Sequence, residues 1–298
     1  MKLLVTGANG QIGWELRRSL TAIGDVLAID REACDLSRLR DLPGIVRTAK
    51  PDVIVNAAAY TAVDRAEDEE ELATLVNGTA VGVIAEEARR LGALLVHYST
   101  DYVFDGAKDS PYAEDDQTNP INAYGRSKLA GERAIGQSGS DYLILRTCWV
   151  FAARGHNFLR TILRLAQERD ELSVVADQIG TPTWARLIAQ ATARIVQCTC
   201  RERGGADFTS EILHVTAGDS TSWCGFAEAI LDQAMGRGLL RNRPKLRPIS
   251  SSEYPLPAAR PKNSRLAGAR VRERFGITLP DWQPGLVQCI QEGFKRAP

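Results

Sequence analysis

The first half of the chain carries five short, unbroken apolar runs, at residues 3–5, 26–29, 53–55, 94–96 and 142–145. None alternates apolar with polar residues, so none reads as a strand with one wet face. The intervals between them can hold helices. Apolar residues recur at helical spacing over 12–20, and a long helix is expected over about 70–91. Strands buried on both faces and joined by helices imply an α/β fold, a doubly wound parallel sheet covered on both sides.

Gly7-Ala8-Asn9-Gly10-Gln11-Ile12-Gly13 follows the first strand and opens the first helix. Gly7 suits a tight turn, Gly10 lets backbone N–H groups approach a pyrophosphate, and Gly13 allows close packing of helix on sheet. The helix N-terminus adds partial positive charge for phosphates. The spacing is GxxGxxG rather than GxGxxG, yet its place between strand and helix favours a dinucleotide site in a Rossmann-type sheet. Asp30 ends the second strand, where a carboxylate binds an adenosine ribose hydroxyl. Arg31 beside it could attract a 2′-phosphate, so NADH and NADPH both stay open.

Beyond residue 150 the pattern changes. Residues 174–175 and 213–215 read as short, isolated strands, and 187–196 and 226–231 carry helical spacing. Five prolines between Pro244 and Pro261 exclude regular helix or a central strand there. The expected organisation is a dinucleotide-binding domain over 1–150. A smaller α/β substrate lobe follows over 151–298, with the return of some of its segments to the first domain left open.

The composition narrows the class. Of 298 residues 44% are hydrophobic, and 37 basic residues balance 37 acidic ones. That supports a large core and argues against a polyanion partner such as nucleic acid. No run of 18 apolar residues exists, and the start holds only three before Thr6-Gly7, too few for a secretory signal. A cytoplasmic location is expected. Six scattered cysteines without a CxxC pair, and only three histidines, read as reduced thiols rather than a metal site.

Tyr124 and Lys128 stand four residues apart, on one face of a helix. Chance gives about 0.16 such pairs in a chain of this composition, so alone the pair could be an ordinary amphipathic surface. Thr100 strengthens it, because it ends a predicted parallel strand, where open α/β sheets bind ligands. Reducing a ketone needs a hydride on carbon and a proton on oxygen. A phenol can give that proton, an ammonium nearby lowers its pKa, and a hydroxyl can position the substrate oxygen.

Together with Asn56-Ala57-Ala58-Ala59-Tyr60-Thr61 and the run from Tyr98 to Gly106, these motifs resemble the extended short-chain dehydrogenase/reductase family. The likeness spans essentially the whole chain and is strongest toward its reductases of dTDP-linked 4-keto sugars. Arg146-Thr147-Cys148-Trp149-Val150, Gly180-Thr181-Pro182-Thr183 and Arg260-Pro261-Lys262-Asn263-Ser264 contribute to it. The implied reaction converts dTDP-4-dehydro-β-L-rhamnose to dTDP-β-L-rhamnose for surface polysaccharide, with NADPH or NADH. By this resemblance Tyr124 donates the proton, Lys128 assists it and holds cofactor, and Thr100 tunes it. Gly7, Gly10, Gln11, Ile12 and Gly13 would cradle the pyrophosphate. Asp30 would hold the ribose, and Asp35 and Leu36 would flank the adenine. Ala59, Tyr60, Thr61 and Tyr98 would line the cofactor channel. Thr100, Asp101, Tyr102 and Trp149 would face the deoxysugar, although Trp149 reads equally well as a core aromatic.

The related dehydratases follow the threonine with Asp-Glu, whereas Asp101 is followed by Tyr102. The second acid for eliminating water is missing. A 4-epimerase of the same fold, or a non-catalytic regulatory subunit of a synthetase, stays as an alternative. Some relatives bind Mg²⁺ at a dimer interface through three glutamates. Here Glu15 and Glu292 occupy two of those positions and Arg186 the third. The resemblance therefore implies a homodimer without metal, with Arg186 pairing Glu15 or Glu292 within or across the twofold.

Overall fold

The computed structural model describes residues 1–203 and 208–294. Strands β1 (Lys2–Thr6), β2 (Asp25–Ile29), β3 (Val53–Asn56), β4 (Leu94–Thr100) and β5 (Tyr142–Thr147) lie in one parallel sheet. The strand Glu211–His214 adds to β5 as the sixth member, giving the order Glu211–His214, β5, β4, β3, β1, β2. Residues 213–215 are thus not isolated. The chain returns to the nucleotide-side sheet after residue 150, because β5 would otherwise present an open edge beside a covered face.

Alternation along each strand feeds two cores. Leu3, Val5, Val53, Val55 and Val96 face one side, against helices α1 (Gln11–Ser19) and, later in the chain, the helix Ala185–Glu202. Leu4, Ile54, Leu95 and Ile144 face the other, where Leu42 and Val46 of α2 (Leu42–Ala49) pack. The expected helix over 70–91 is three pieces: α3 (Glu70–Thr74), a π turn over Leu75–Thr79, and α4 (Ala80–Leu91). The π turn directs buried Asn77 inward, where its amide bonds both the N–H and the C=O of Tyr60 and the hydroxyl of Ser127. The hydrogen-bond ladder yields one extra residue to satisfy that side chain.

A third core serves the later part of the chain. Phe151, Leu159, Phe226, Ile230, Trp282 and Leu286 pack together from the short strand Val150–Phe151 and the helices Phe158–Glu168, Trp223–Gly236 and Trp282–Gly293. The short strand expected at 174–175 runs from Glu171 to Val175 and is not isolated either. It pairs in parallel with Lys245–Ile249 in a two-stranded ribbon. Pro248 is tolerated there because a two-stranded ribbon has only edges. Among the described residues no helix is long and apolar enough to cross a membrane. The six cysteines are free.

The helix Ala123–Ser138, which bears Tyr124 and Lys128, is locked to the sheet by one buried ion pair. Arg146 of β5 donates from Nε to Glu132 Oε1 at 2.8 Å and from its amino group to Oε2 at 2.6 Å. Both residues are at most 5% exposed, so removing either charge strands the other in a dry interior. Glu132→Gln should therefore cost about 3–5 kcal/mol of stability. Replacing the pair together with Leu and Met should recover most of that loss. Denaturant titration of the two variants checks this, and equal losses in both would contradict it.

Candidate active site

The chain leaves β1 for β2 on one side and returns for β3 on the other, so the carboxyl ends of β1 and β3 flank a topological switch point. Gly7 sits there with φ +70°, and a Cβ on it would lie 2.7 Å from the nitrogen of Ala58. A Cβ on Gly13 would lie 2.1 Å from the carbonyl oxygen of Gly7. Both positions therefore require glycine. Gly10 caps α1 without a side-chain hydrogen bond, and the first turn carries no acid. Its N–H groups are left for an anion, which fits the pyrophosphate of a dinucleotide. Ile12 is half-buried beside them, and Gln11 accepts a 2.8 Å bond from Asn157.

At the end of β2 the Asp30 carboxylate is already engaged. It accepts from Asn9 at 2.9 Å and from the N–H groups of Glu32 and Ala33 at 3.1 and 3.3 Å. Arg31 is exposed, 3.5 Å from Asp35. Backbone and hydroxyl bonds from Ser37 hold the Asp35 carboxyl below its ordinary pKa, helped by Arg31. Leu36 is buried in the core around Leu4 and Leu42. On the β3 side Ala59 and Tyr60 are half-buried and Thr61 is exposed, and the Tyr60 hydroxyl donates to Glu69 at 2.6 Å. Tyr98 turns its phenol into the core, 2.6 Å from Thr192, so its carbonyl is the part that reaches Lys128.

Asn122 caps the helix Ala123–Ser138 by accepting from Gly125 N at 2.8 Å, and Glu67 accepts from Ala123 N at 2.8 Å. A Cβ on Gly125 would lie 2.2 Å from the carbonyl of Tyr102, so the helix start is pressed onto the turn after β4. That contact brings Tyr124 to Thr100. Burial and the nearby Asp101 carboxyl push the Tyr124 phenol up, and a hydrogen bond with Thr100 works the other way. The ring of Tyr102 stands edge-on to Tyr124 with centroids 5.6 Å apart.

Lys128 is 2% exposed. Its Nζ donates to the Tyr98 carbonyl at 2.7 Å and lies 3.1 Å from His97 Nε2. Burial lowers its pKa to about 8, against the pull of Glu132. The expected lowering of the phenol by this ammonium is not found here, since the lysine is turned to His97 and the backbone. Asp101 is the other perturbed group. Thr100 donates to its Oδ1 at 3.1 Å, while Oδ2 is buried without a partner. Burial raises it to about 7 despite bonds from Ser264 and Thr100.

Trp149 has φ +45° and is stacked on Trp223, with centroids 3.5 Å apart and planes at 9°. It also lies against Gly180, where a Cβ would come within 2.3 Å of its ring. One face is therefore occupied by protein. The sequence reading missed Trp223 and His97, and named Asn56 only as a member of a motif without a role. It also missed the Arg260–Asp64 ion pair at 2.9 Å, whose guanidinium lies 6.0 Å from the Tyr102 ring. Arg260 and Ser264 were visible only as members of a run without assigned roles.

The three residues of the interface motif meet within one chain. Arg186 Nε donates to Glu15 at 3.0 Å, a second nitrogen bonds Glu292, and the guanidinium stacks over Trp184. A cation already sits between the two carboxylates, so these residues do not fit a divalent metal.

Comparison with known proteins places this geometry. The family described as RmlD substrate binding domain matches residues 1–294. A dTDP-4-dehydrorhamnose reductase of Burkholderia thailandensis is 55% identical, covering 98% of this chain and 99% of its own. That of Salmonella typhimurium is 45% identical over 99% and 98%. The solved dTDP-4-dehydrorhamnose reductase of Bacillus anthracis, in complex with NADP, gives a TM-score of 0.89 at 34% identity over 98% and 99%. A UDP-glucose 4-epimerase of Thermus thermophilus gives 0.81 over 98% and 99%, but at 19% identity it shares the fold alone.

The Asp101 carboxyl makes stability depend on pH in a defined direction. Its folded value, about 7, stands above the ordinary 3.8, so the fold resists ionising it. That resistance costs nothing below the ordinary value and destabilises the fold as pH rises through 7. Asp101→Asn should therefore gain stability relative to the wild type between pH 4 and pH 8. Denaturation midpoints at both pH values test it; a constant difference would mean the carboxyl ionises freely.

Proposed function

The chain belongs to the RmlD substrate binding domain family, and from that premise we propose that it reduces dTDP-4-dehydro-β-L-rhamnose to dTDP-β-L-rhamnose. The observation that carries the residue assignment is the meeting of Thr100 and Tyr124 at the carboxyl end of β4, with Lys128 one helical turn beyond. A bound nicotinamide would supply the hydride to C4. Tyr124 gives its proton to the oxygen formed there, and its burial keeps the phenol protonated until that oxygen is ready to take it. Thr100 holds the same oxygen through its hydroxyl. The unpartnered Oδ2 of Asp101 offers a bond to a sugar hydroxyl, and Tyr102 closes the pocket beside Tyr124. Lys128 is the residue that would grip the nicotinamide ribose.

Tyr102 also argues for reduction over elimination, because it fills with an aromatic ring the place where a dehydratase needs a second acid. NADPH is the proposed preferred cofactor, with NADH accepted. Asp30 has its oxygens tied to Asn9 and the backbone, while exposed Arg31 is available to a 2′-phosphate. The relative from Bacillus anthracis was solved with NADP. The reading also carries a cytoplasmic enzyme, a homodimer, and no metal at Glu15, Arg186 and Glu292.

An absorbance assay at the nicotinamide band, with the 4-keto sugar nucleotide and either reduced cofactor, tests the reaction. Tyr124→Phe should lower turnover by about 10²–10⁴-fold, the range for losing a positioned general acid. Lys128→Met should lose activity with weakened cofactor binding. Wild-type rates in both would remove these assignments. Treatment with a chelator should leave both activity and molecular size unchanged. Loss of the dimer on chelation would show that a metal holds it after all.

A further inference from the structure

Lys128 is held in a buried chain of polar groups that the reaction as described does not use. Thr6, Asn56, His97 and Lys128 are each at most 2% exposed. Asn56 Oδ1 accepts from the Thr6 hydroxyl at 2.6 Å and from the Ala58 backbone N–H at 3.2 Å. A backbone N–H can only donate, so it fixes which end of the amide is oxygen. The amide nitrogen then faces His97 Nδ1 at 3.1 Å, and that ring nitrogen must accept. Burial, with repulsion from Lys128, holds His97 well below its ordinary pKa, so the ring is neutral. Its one proton is therefore on Nε2, pointing at Lys128 Nζ 3.1 Å away.

An N–H donor faces a lysine. An ammonium has three donors and no lone pair, so it cannot accept that proton, whereas the neutral amine can. Charging Lys128 at this spot opposes two donors, or else forces the ring to change tautomer and turns the Asn56 amide against Ala58 N–H. We propose that His97 is a positioning residue: fixed by Asn56 as the Nε2–H tautomer, it lowers the proton affinity of Lys128 until cofactor draws the lysine away. A ribose hydroxyl offers oxygen lone pairs in place of a donor. Lys128 then holds its proton more tightly, and stays the ammonium beside Tyr124 to a higher pH than in the free enzyme.

Other ionisable groups around Lys128 are accounted for. Glu132 on the same helix is neutralised by Arg146 of β5, and Tyr124 and Asp101 lie toward the pocket. Tyr98 turns its phenol away to Thr192. The π turn packed on this helix contributes the neutral Asn77. Glu67 and Glu70 meet the helix start, where they bond Ala123 N and Arg126.

The inference rests on Lys128 acting in the reaction, and Asn56→Asp tests it separately. A carboxylate keeps both acceptor bonds but cannot donate to His97. It draws the ring proton to Nδ1 and leaves Nε2 to accept from the ammonium. The alkaline limb of kcat/KM, which reports free enzyme, should move upward by about one pH unit, a tenfold rise in proton affinity. The limb of kcat should stay, because in the complex the lysine has left His97. A merely structural change would lower both curves without moving either limb. ¹⁵N-histidine spectra above pH 9 give a readout besides activity: Nδ1 should be the unprotonated nitrogen of His97 in the wild type and Nε2 in Asn56→Asp. If Asn56→Asp does not fold, His97→Gln, whose amide oxygen accepts from the ammonium, should move the same limb. An unmoved limb, or a wild-type ring protonated on Nδ1, overturns the inference. Full activity in Lys128→Met would instead overturn the catalytic reading beneath it.

Discussion

The site depends on a strand that is buried from end to end and still carries polar groups. All seven residues of β4 are buried, and its backbone is paired on both sides by β3 and β5. Four of its last residues are polar or phenolic: His97, Tyr98, Ser99 and Thr100. In a medium where an unpaired polar atom is costly, each must find a partner or be left for a ligand. His97 finds Asn56 and Lys128, and Tyr98 finds Thr192. Thr100 turns to Asp101 and Tyr124. The hydroxyl of Ser99 and the Oδ2 of Asp101 are buried without partners. A dry floor thus ends in a few oriented oxygens and nitrogens, which is the condition under which a proton donor and a carbonyl can be held in register.

Much of this was legible in the sequence, for reasons that can be named. Unbroken apolar runs at 53–55 and 94–96 require two covered faces, so the parallel sheet followed directly. The Gly7–Gly13 turn was legible because a Cβ at Gly7 or Gly13 would strike backbone. Tyr124 and Lys128 were legible as neighbours on one helix, but the turn of Lys128 toward His97 and the Tyr98 carbonyl was not. Leu213 and its neighbours were not, since a strand that rejoins a sheet after some sixty residues looks locally like any short apolar run. The π turn escaped for a similar reason: what bends the helix is the bonding of Asn77 to Tyr60 and Ser127, all distant in sequence. His97 read as a lone histidine, because its partners come from β3 and from the helix beyond residue 122.

The cluster at Arg186 shows how one residue changes the chemistry available to a surface. Three carboxylates in that place would repel each other and call for a cation. With arginine as the third member, the cation is covalently part of the chain. Its planar group satisfies Glu15 and Glu292 while stacking on Trp184. The cluster ties α1, which opens at the phosphate turn, to the helix Trp282–Gly293 from the far end of the chain. The link between the two helices is an ion pair made within the chain.

The two perturbed groups of the site shift in opposite directions for one reason, burial, because one charges as a cation and the other as an anion. Lys128 is buried, so its charged form is disfavoured and its pKa falls to about 8, against the pull of Glu132. Asp101 is buried with one oxygen unpaired, so its charged form is disfavoured too and its pKa climbs to about 7. Near neutral pH the lysine lies just on the acid side of its titration point, still mostly charged, and the acid stands at its own. A ligand that supplies lone pairs to one and a hydroxyl to the other shifts both toward the charged forms. Binding is then linked to proton exchange at two points on either side of Tyr124. The phenol itself stays protonated throughout, because burial holds it far from titration. The fold thereby keeps a proton on Tyr124 while its neighbours Lys128 and Asp101 stand close to titration.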